Sequence, residues 1–358
     1  MGFQLRRGFL RGWGSLAVAA NLAPLGLRSG EPETHSKQRL GIVIHSFAVR
    51  LSKPLSPEFD SIATPIAFLE HARQLGAGSI QLRLDRIENP RQFQERAKEC
   101  QIELEGMIAL PKTLRDLERF ESELAQSKEA GATLLRTVCM SGRRYEVMRS
   151  KEDFDDFAKN SFDMIRLAEP IARKHAVVIA IENHKDWRSR ELHSLLTKIS
   201  SEHLGVCFDF GNNIALLEEP ETALKILAPW VKTTHIKDMA IESYDEGFKI
   251  AEVPLGDGLL NIESMIKTIQ AIARPIALNL EMITRDPLKV PYLTLAYANA
   301  MPPLDLETIA KWRSWVASKQ SPHPLAMISD RTHRYQLALE ASNIAKSFHY
   351  AEDKIIWS

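Results

Sequence analysis

From Arg39 onward, short β-branched apolar runs alternate with longer segments of helical period, and the alternation recurs eight times. The runs that read as strands are Leu40 to Ala48, Ser79 to Leu84, Leu104 to Leu110, Thr133 to Met140, Val177 to Asn183, Gly205 to Phe210, Val231 to Lys237 and Ile276 to Ile283. Helices are expected at Ile62 to Leu75, Arg91 to Gln101, Leu114 to Ala130, Phe154 to Lys174, Glu191 to Ser200, Pro220 to Leu227 and Ile262 to Ala273, with an eighth at Leu306 to Lys319. Strands that are apolar on both faces and joined through helices belong to parallel α/β sheets. A doubly wound sheet carries a Gly-rich phosphate loop after its first strand, and His45-Ser46-Phe47 stands there instead. Eight units in about 280 residues match a (β/α)₈ TIM barrel, which typically takes about 250. The barrel is expected over residues 39–320, with a C-terminal extension over 321–358 that includes a helix-like Tyr335 to His349. Met239 to Asn261 and Thr284 to Asp305 are longer than ordinary connections and are expected over the barrel mouth.

The 358 residues carry 46 basic and 46 acidic side chains, so the chain lacks the basic surplus of a nucleic-acid binder. With 44% hydrophobic and 26% charged residues, it is neither disordered nor a many-span membrane protein in composition. Cys100, Cys139 and Cys207 have no CxxC spacing and read as buried thiols. Residues 1–30 differ from the rest: Arg6-Arg7 precedes an acid-free stretch, Gly12 to Leu27, broken by Gly14, Asn21, Pro24 and Gly26. This has the form of a twin-arginine export signal and implies a periplasmic or exported protein. No stable membrane anchor is expected, because the apolar run is too short and broken to span a bilayer core of about 30 Å.

In a TIM barrel the chemistry lies at the C-terminal ends of the strands. Four successive strands end in Glu182, Asp209, His235 and Glu281, each after an apolar run. Buried carboxylates without counter-charges cost several kcal/mol, and one shared cation removes that cost. Three carboxylates and one imidazole form a mostly hard donor set, which suits Mn²⁺ first or Mg²⁺; zinc, iron and cobalt are alternatives.

On these motifs, Ile181-Glu182-Asn183-His184, Cys207-Phe208-Asp209 with Gly211-Asn212, His235-Ile236-Lys237-Asp238, Gly256-Asp257-Gly258 and Leu280-Glu281, the chain resembles the sugar phosphate isomerase/epimerase group of the xylose isomerase-like TIM barrels. The resemblance runs from Leu40 to about Lys319. It implies one divalent ion on Glu182, Asp209, His235 and Glu281, with the two glutamates also acting as acid and base. Where the family's keto-sugar epimerases often have a His three residues after the Asp, this chain has Asn212.

Charge placement leads to the same chemistry. A cation that holds a carbonyl and its neighbouring hydroxyl stabilises an enediolate, and Glu182 and Glu281 can exchange the proton from two sides. The outcome is epimerisation or isomerisation of a sugar or keto-sugar. A lyase acting by dehydration, decarboxylation or cleavage of a 3-keto-glycoside is the enzymatic alternative, and a non-catalytic exported sugar-binding protein the other.

Strand alternation aims His184 and Lys237 into the mouth, as candidates to bind substrate hydroxyl and carbonyl oxygens. Arg83 and Arg136, within apolar strands, need anionic partners, either substrate or protein. Arg285, in the loop after Glu281, is placed to bind a carboxylate or phosphate. Asp257 and His45 complete the substrate-binding candidates. The partner expected is a small carbohydrate; homo-oligomerisation is left open.

Overall fold

The computed structural model describes residues 39–52, 59–272 and 275–355. The export signal expected over residues 1–30 lies outside them. The strands are β1 (Gly41–Val43), β2 (Ser79–Leu82), β3 (Glu103–Met107), β4 (Leu134–Thr137), β5 (Val178–Glu182), β6 (Leu204–Asp209), β7 (Val231–Ile236), β8 (Asp238–Tyr244), β9 (Gly247–Val253), β10 (Leu278–Leu280) and β11 (Leu288–Val290). Eight of them close in the order β1-β10-β7-β6-β5-β4-β3-β2, every pair parallel. This is the expected (β/α)₈ barrel.

The helices are α1 (Ala48–Ser52), α2 (Pro65–Gln74), α3 (Pro90–Glu99), α4 (Leu117–Glu129), α5 (Arg144–Val147), α6 (Lys151–Lys174), α7 (Ser189–Ile199), α8 (Pro220–Leu227), α9 (Ile262–Gln270), α10 (Leu295–Ala300), α11 (Leu306–Lys319) and α12 (His333–Lys354). Their starts follow local chemistry. Thr64 and Asn89 cap α2 and α3 by accepting from Ala67 and Gln92 backbone N–H groups, and a proline follows each cap at the first helical position. Ser150, Asn261, Asp305 and Thr332 cap α6, α9, α11 and α12 in the same way. Cys100, Cys139 and Cys207 are free thiols.

Three expectations are corrected. The first strand ends at Val43 rather than Ala48; Ile44–Phe47 is a 3₁₀ turn that leads into α1. Ser46 explains the early end: its Oγ donates to Leu280 O and accepts from Met282 N, both at 3.1 Å, so a side chain takes over the bonding that a longer strand would have made with its neighbour. The two long connections do not cover the mouth as loops alone. They contribute β8, β9 and β11, which form a separate antiparallel sheet in the order β11-β9-β8.

The third correction concerns the C-terminal helices. The helix at Leu306–Lys319 packs on the accessory sheet: Trp312 and Val316 share a second apolar cluster with Ile241, Phe248, Ile250 and Val290, and Ser321 N donates to Ile241 O. Residues 321–355, the described part of the expected C-terminal extension, pack on the barrel. They supply α12, whose Ile344, Phe348 and Ala351 lie in the main core with Leu40, Phe47 and Ile355. Its Glu340 accepts from Val49 N and Arg50 N at 2.7 and 3.1 Å, Asn343 donates to Thr284 Oγ1, and Ser347 Oγ accepts from Leu255 N.

Candidate active site

Because every barrel strand runs in the same direction, all their C-terminal ends open at one mouth. Glu182 and Asp209 are the last residues of β5 and β6, His235 is the penultimate residue of β7, and Glu281 directly follows β10. The ladder pairs Asp209 with His235, and His235 with Asn279. One ligand atom from each of Glu182, Asp209, His235 and Glu281 falls within 4.8 Å of the others. His235 Nδ1 lies 3.5 Å from Glu182 Oε2, 3.5 Å from Glu281 Oε1 and 3.9 Å from Asp209 Oδ2, and all four residues are buried.

Each of these side chains is held from behind. Asn183 clamps β6 by accepting from Asp209 N (2.6 Å) and donating to Asp209 O (2.9 Å). Asp209 Oδ1 accepts from Gly211 N and Asn212 N, which leaves Oδ2 to face the cluster. His235 Nε2 meets Gln81 Oε1 at 2.8 Å, and Gln81 Nε2 donates to Glu105 Oε2 at 2.9 Å. Glu105 Oε2 also accepts from Thr233 Oγ1 and Asn279 Nδ2. Since Glu105 fixes the Gln81 amide, its carbonyl faces His235; the imidazole proton then belongs on Nε2 and the Nδ1 lone pair is free.

These residues fit a divalent cation. His235 Nδ1 is buried and makes no hydrogen bond, and the cluster presents three carboxylates and one imidazole to a common centre. The cluster can therefore hold a divalent metal; the donors do not single out which one.

Cations surround the acids. Burial alone would raise the Glu182 carboxyl, but the Arg136 guanidinium beside it brings it down to about 2. Arg136 donates to Glu182 Oε2 through Nε at 2.6 Å. Glu281 is held well below the usual carboxylate range against the effect of burial, chiefly by Lys237, whose Nζ sits 2.6 Å from Glu281 Oε2 and 2.7 Å from Asp209 Oδ2. Burial nevertheless keeps Asp209 above its ordinary value.

The other sequence-named residues divide. His45 Nδ1 lies 3.2 Å from Glu281 Oε1, and its side chain is 42% exposed, so it stands at the entrance to the cluster. His184 Nδ1 is buried without a partner, and burial pushes the ring down to about 4, so it is neutral near pH 7. Arg285 joins β9 by a two-point contact with Glu252, at 2.5 and 3.3 Å. Arg83 is not brought into the cluster: it pairs with Asp85 and Glu123. Asp257 is exposed. The glycines on either side of Asp257 serve Asp238, whose Oδ2 accepts from Gly256 N and Gly258 N; a Cβ at Gly258 would lie 2.2 Å from Asp238 Oδ1.

Sequence reasoning missed Gln81, Glu105 and Lys185. The first two are polar residues at inward positions of otherwise apolar strands, and period-two alternation was enough to single them out. Lys185 follows strand five directly after His184, inside a motif already selected for its chemistry, and burial followed by Lys237 and Arg285 lowers its ammonium to about 8.

The profile of the xylose isomerase-like TIM barrel family matches residues 69–305. Over 115 residues, 32% of this chain and 42% of the relative, the sequence is 30% identical to a 3-oxo-isoapionate decarboxylase from Pectobacterium atrosepticum. The chain thus spans about two fifths of the length of the curated relatives it matches. A sugar phosphate isomerase/epimerase from Parabacteroides distasonis superposes with a TM-score of 0.53 at 12% identity, over 90% of this chain and 96% of that one. A 3-keto-D-glucoside 4-epimerase from E. coli does so at 0.52 and 14%, over 78% of this chain and 100% of that one. At these identities the superpositions show the fold.

Proposed function

The chain belongs to the xylose isomerase-like TIM barrel family, and on that premise we propose that it is a divalent-metal-dependent isomerase or epimerase acting on a sugar or keto-sugar through an enediolate. One observation carries this: four ligand atoms from successive barrel strands meet within 4.8 Å, and two of their owners are glutamates from strands three places apart in the ring, with β6 and β7 between them. Glu182, Asp209, His235 and Glu281 would hold the ion. A divalent cation there, Mn²⁺ by preference, supplies the charge that stabilises an oxyanion beside a carbon losing its proton.

The chain's own residues do the rest. Glu182 and Glu281 are held ionised by Arg136 and Lys237, so either carboxylate can take a proton from a substrate carbon lying between β5 and β10. Lys237, already bonded to Glu281, is close enough to donate to a substrate oxygen, and His45 contacts the same carboxylate from the solvent side. Return of the proton to the opposite face of the carbon gives epimerisation; return to the neighbouring carbon gives isomerisation.

A lyase is the second reading, favoured by the sequence likeness to a decarboxylase. Loss of CO₂ from a β-keto acid leaves the bonding electrons in an enolate, which the same residues would protonate.

The test pairs elemental analysis with proton exchange. Protein purified without chelator, or supplied with Mn²⁺, is expected to hold about one ion per chain and to wash deuterium from D₂O into a keto-sugar or keto-sugar acid. Glu281→Gln keeps an oxygen donor and loses the base, so it is expected to retain metal while exchange falls at least about 100-fold. Absence of bound metal after Mn²⁺ addition defeats the proposal. Bound metal and sugar without exchange or product would mark a binding protein.

A further inference from the structure

We propose that Lys185 is the counter-charge for a carboxylate on the substrate, which makes this a site for sugar acids rather than neutral sugars. The inference rests on the catalytic reading above and names its substrate class.

Lys185 lies three residues beyond Glu182, in the turn after β5, and is 3% exposed. Its Nζ donates to Asn212 Oδ1, and Asn212 Nδ2 donates to Glu182 Oε1 at 2.9 Å. The ammonium is therefore one amide away from a glutamate of the cluster. The three other basic side chains around the site each have a carboxylate partner: Arg136 has Glu182, Lys237 has Asp209 and Glu281, and Arg285 has Glu252. Among the described residues Lys185 makes no ion pair. Asp209 and Glu252, the carboxylates whose charge reaches it, are already paired with Lys237 and Arg285.

An ammonium buried without a counter-charge costs several kcal/mol, and in a cleft of reacting groups such a cost marks function.

A neutral sugar would leave the Lys185 ammonium buried without a counter-charge, whereas a substrate carboxylate supplies one. One ammonium matches the single charge of a carboxylate, and Arg285, whose charge reaches Lys185, is already committed to Glu252.

Two ligand pairs test this on the Mn²⁺-loaded full chain by isothermal titration calorimetry: 2-keto-D-gluconate against D-fructose, and D-glucuronate against D-glucose. In at least one pair the acid is expected to bind at least tenfold more tightly. Lys185→Met is expected to reduce that preference to twofold or less, with the Mn²⁺ dissociation constant within threefold of wild type. The same variant, without ligand, is expected to melt at or above the wild-type temperature, because it removes an unpaired buried charge; a purely structural lysine would give a lower Tm. Equal binding of acid and neutral sugar, no binding of either acid, or a preference that survives in Lys185→Met overturns the assignment. Failure to bind Mn²⁺ would instead defeat the underlying metal reading, whereas deuterium exchange into neutral keto-sugars without an acid preference would leave that reading intact and remove only the role of Lys185.

Discussion

At His235, the nitrogen that faces the cluster is chosen by residues on other strands. Gln81 on β2 accepts from Nε2, and Glu105 on β3 holds the Gln81 amide in the orientation that makes this possible. Groups that orient a ligand in this way are typically worth 10–100-fold in metal affinity. Gln81→Leu is accordingly expected to weaken Mn²⁺ binding by about that factor, read by competition with a chromophoric chelator; an unchanged dissociation constant would show that His235 needs no such orientation. Glu105 also carries a pH signature. Burial raises its carboxyl from 4.5 to about 7, partly opposed by the bonds from Gln81 and Thr233. Between those values the folded chain keeps a proton that the unfolded chain has released, so this residue makes stability fall as pH rises, by ~1.4 kcal/mol per unit, and the loss levels off above the folded-state value. Glu105→Gln cannot titrate. Denaturant unfolding at pH 5 and pH 7.5 is expected to show the wild type losing more stability than the variant over that interval; parallel losses would mean that Glu105 titrates normally.

The elements show how helical period can be right about a helix and silent about its partner. Leu306–Lys319 is a helix as expected, yet its Trp312 and Val316 cover the accessory sheet, and α12 takes the place on the barrel. Ending the chain at Gln320 removes Leu337, Ile344 and Phe348 from the interior, each worth about 1.5–3 kcal/mol of burial, together with the carboxylate that accepts from Val49 and Arg50. That sum is comparable to the whole stability of an ordinary domain, about 5–15 kcal/mol. The truncated chain is expected to lose its cooperative thermal transition in circular dichroism. A wild-type Tm would make α12 an appendage after all.

For the whole molecule, acidic and basic charges balance, and among the described residues no helix is long and apolar enough to cross a membrane. The export route remains a proposal resting on Arg6-Arg7 and the acid-free stretch behind it. Replacing both arginines by lysine is expected to leave full-length precursor in the cytoplasm, followed by fractionation and immunoblotting. Undiminished export of the double variant would exclude a twin-arginine route. If the route holds, a chain that folds before export can load its metal in the cytoplasm.

The barrel and the meeting of Glu182, Asp209, His235 and Glu281 are legible in the chain itself, because both follow from local rules. Alternation of strand and helix period implies parallel βα units, and parallel strands carry their terminal residues to one mouth. The accessory sheet is not legible in this way: β9 pairs with β11 across a segment that contains β10, and the pairing depends on which surface the barrel leaves uncovered. Nor does residue type show that Lys237 and Arg285 are paired with protein carboxylates while Lys185 is not. Periodicity records that a face is buried and a formal charge that a partner is needed. Which atoms supply the contact is settled only when strands distant in sequence close the barrel.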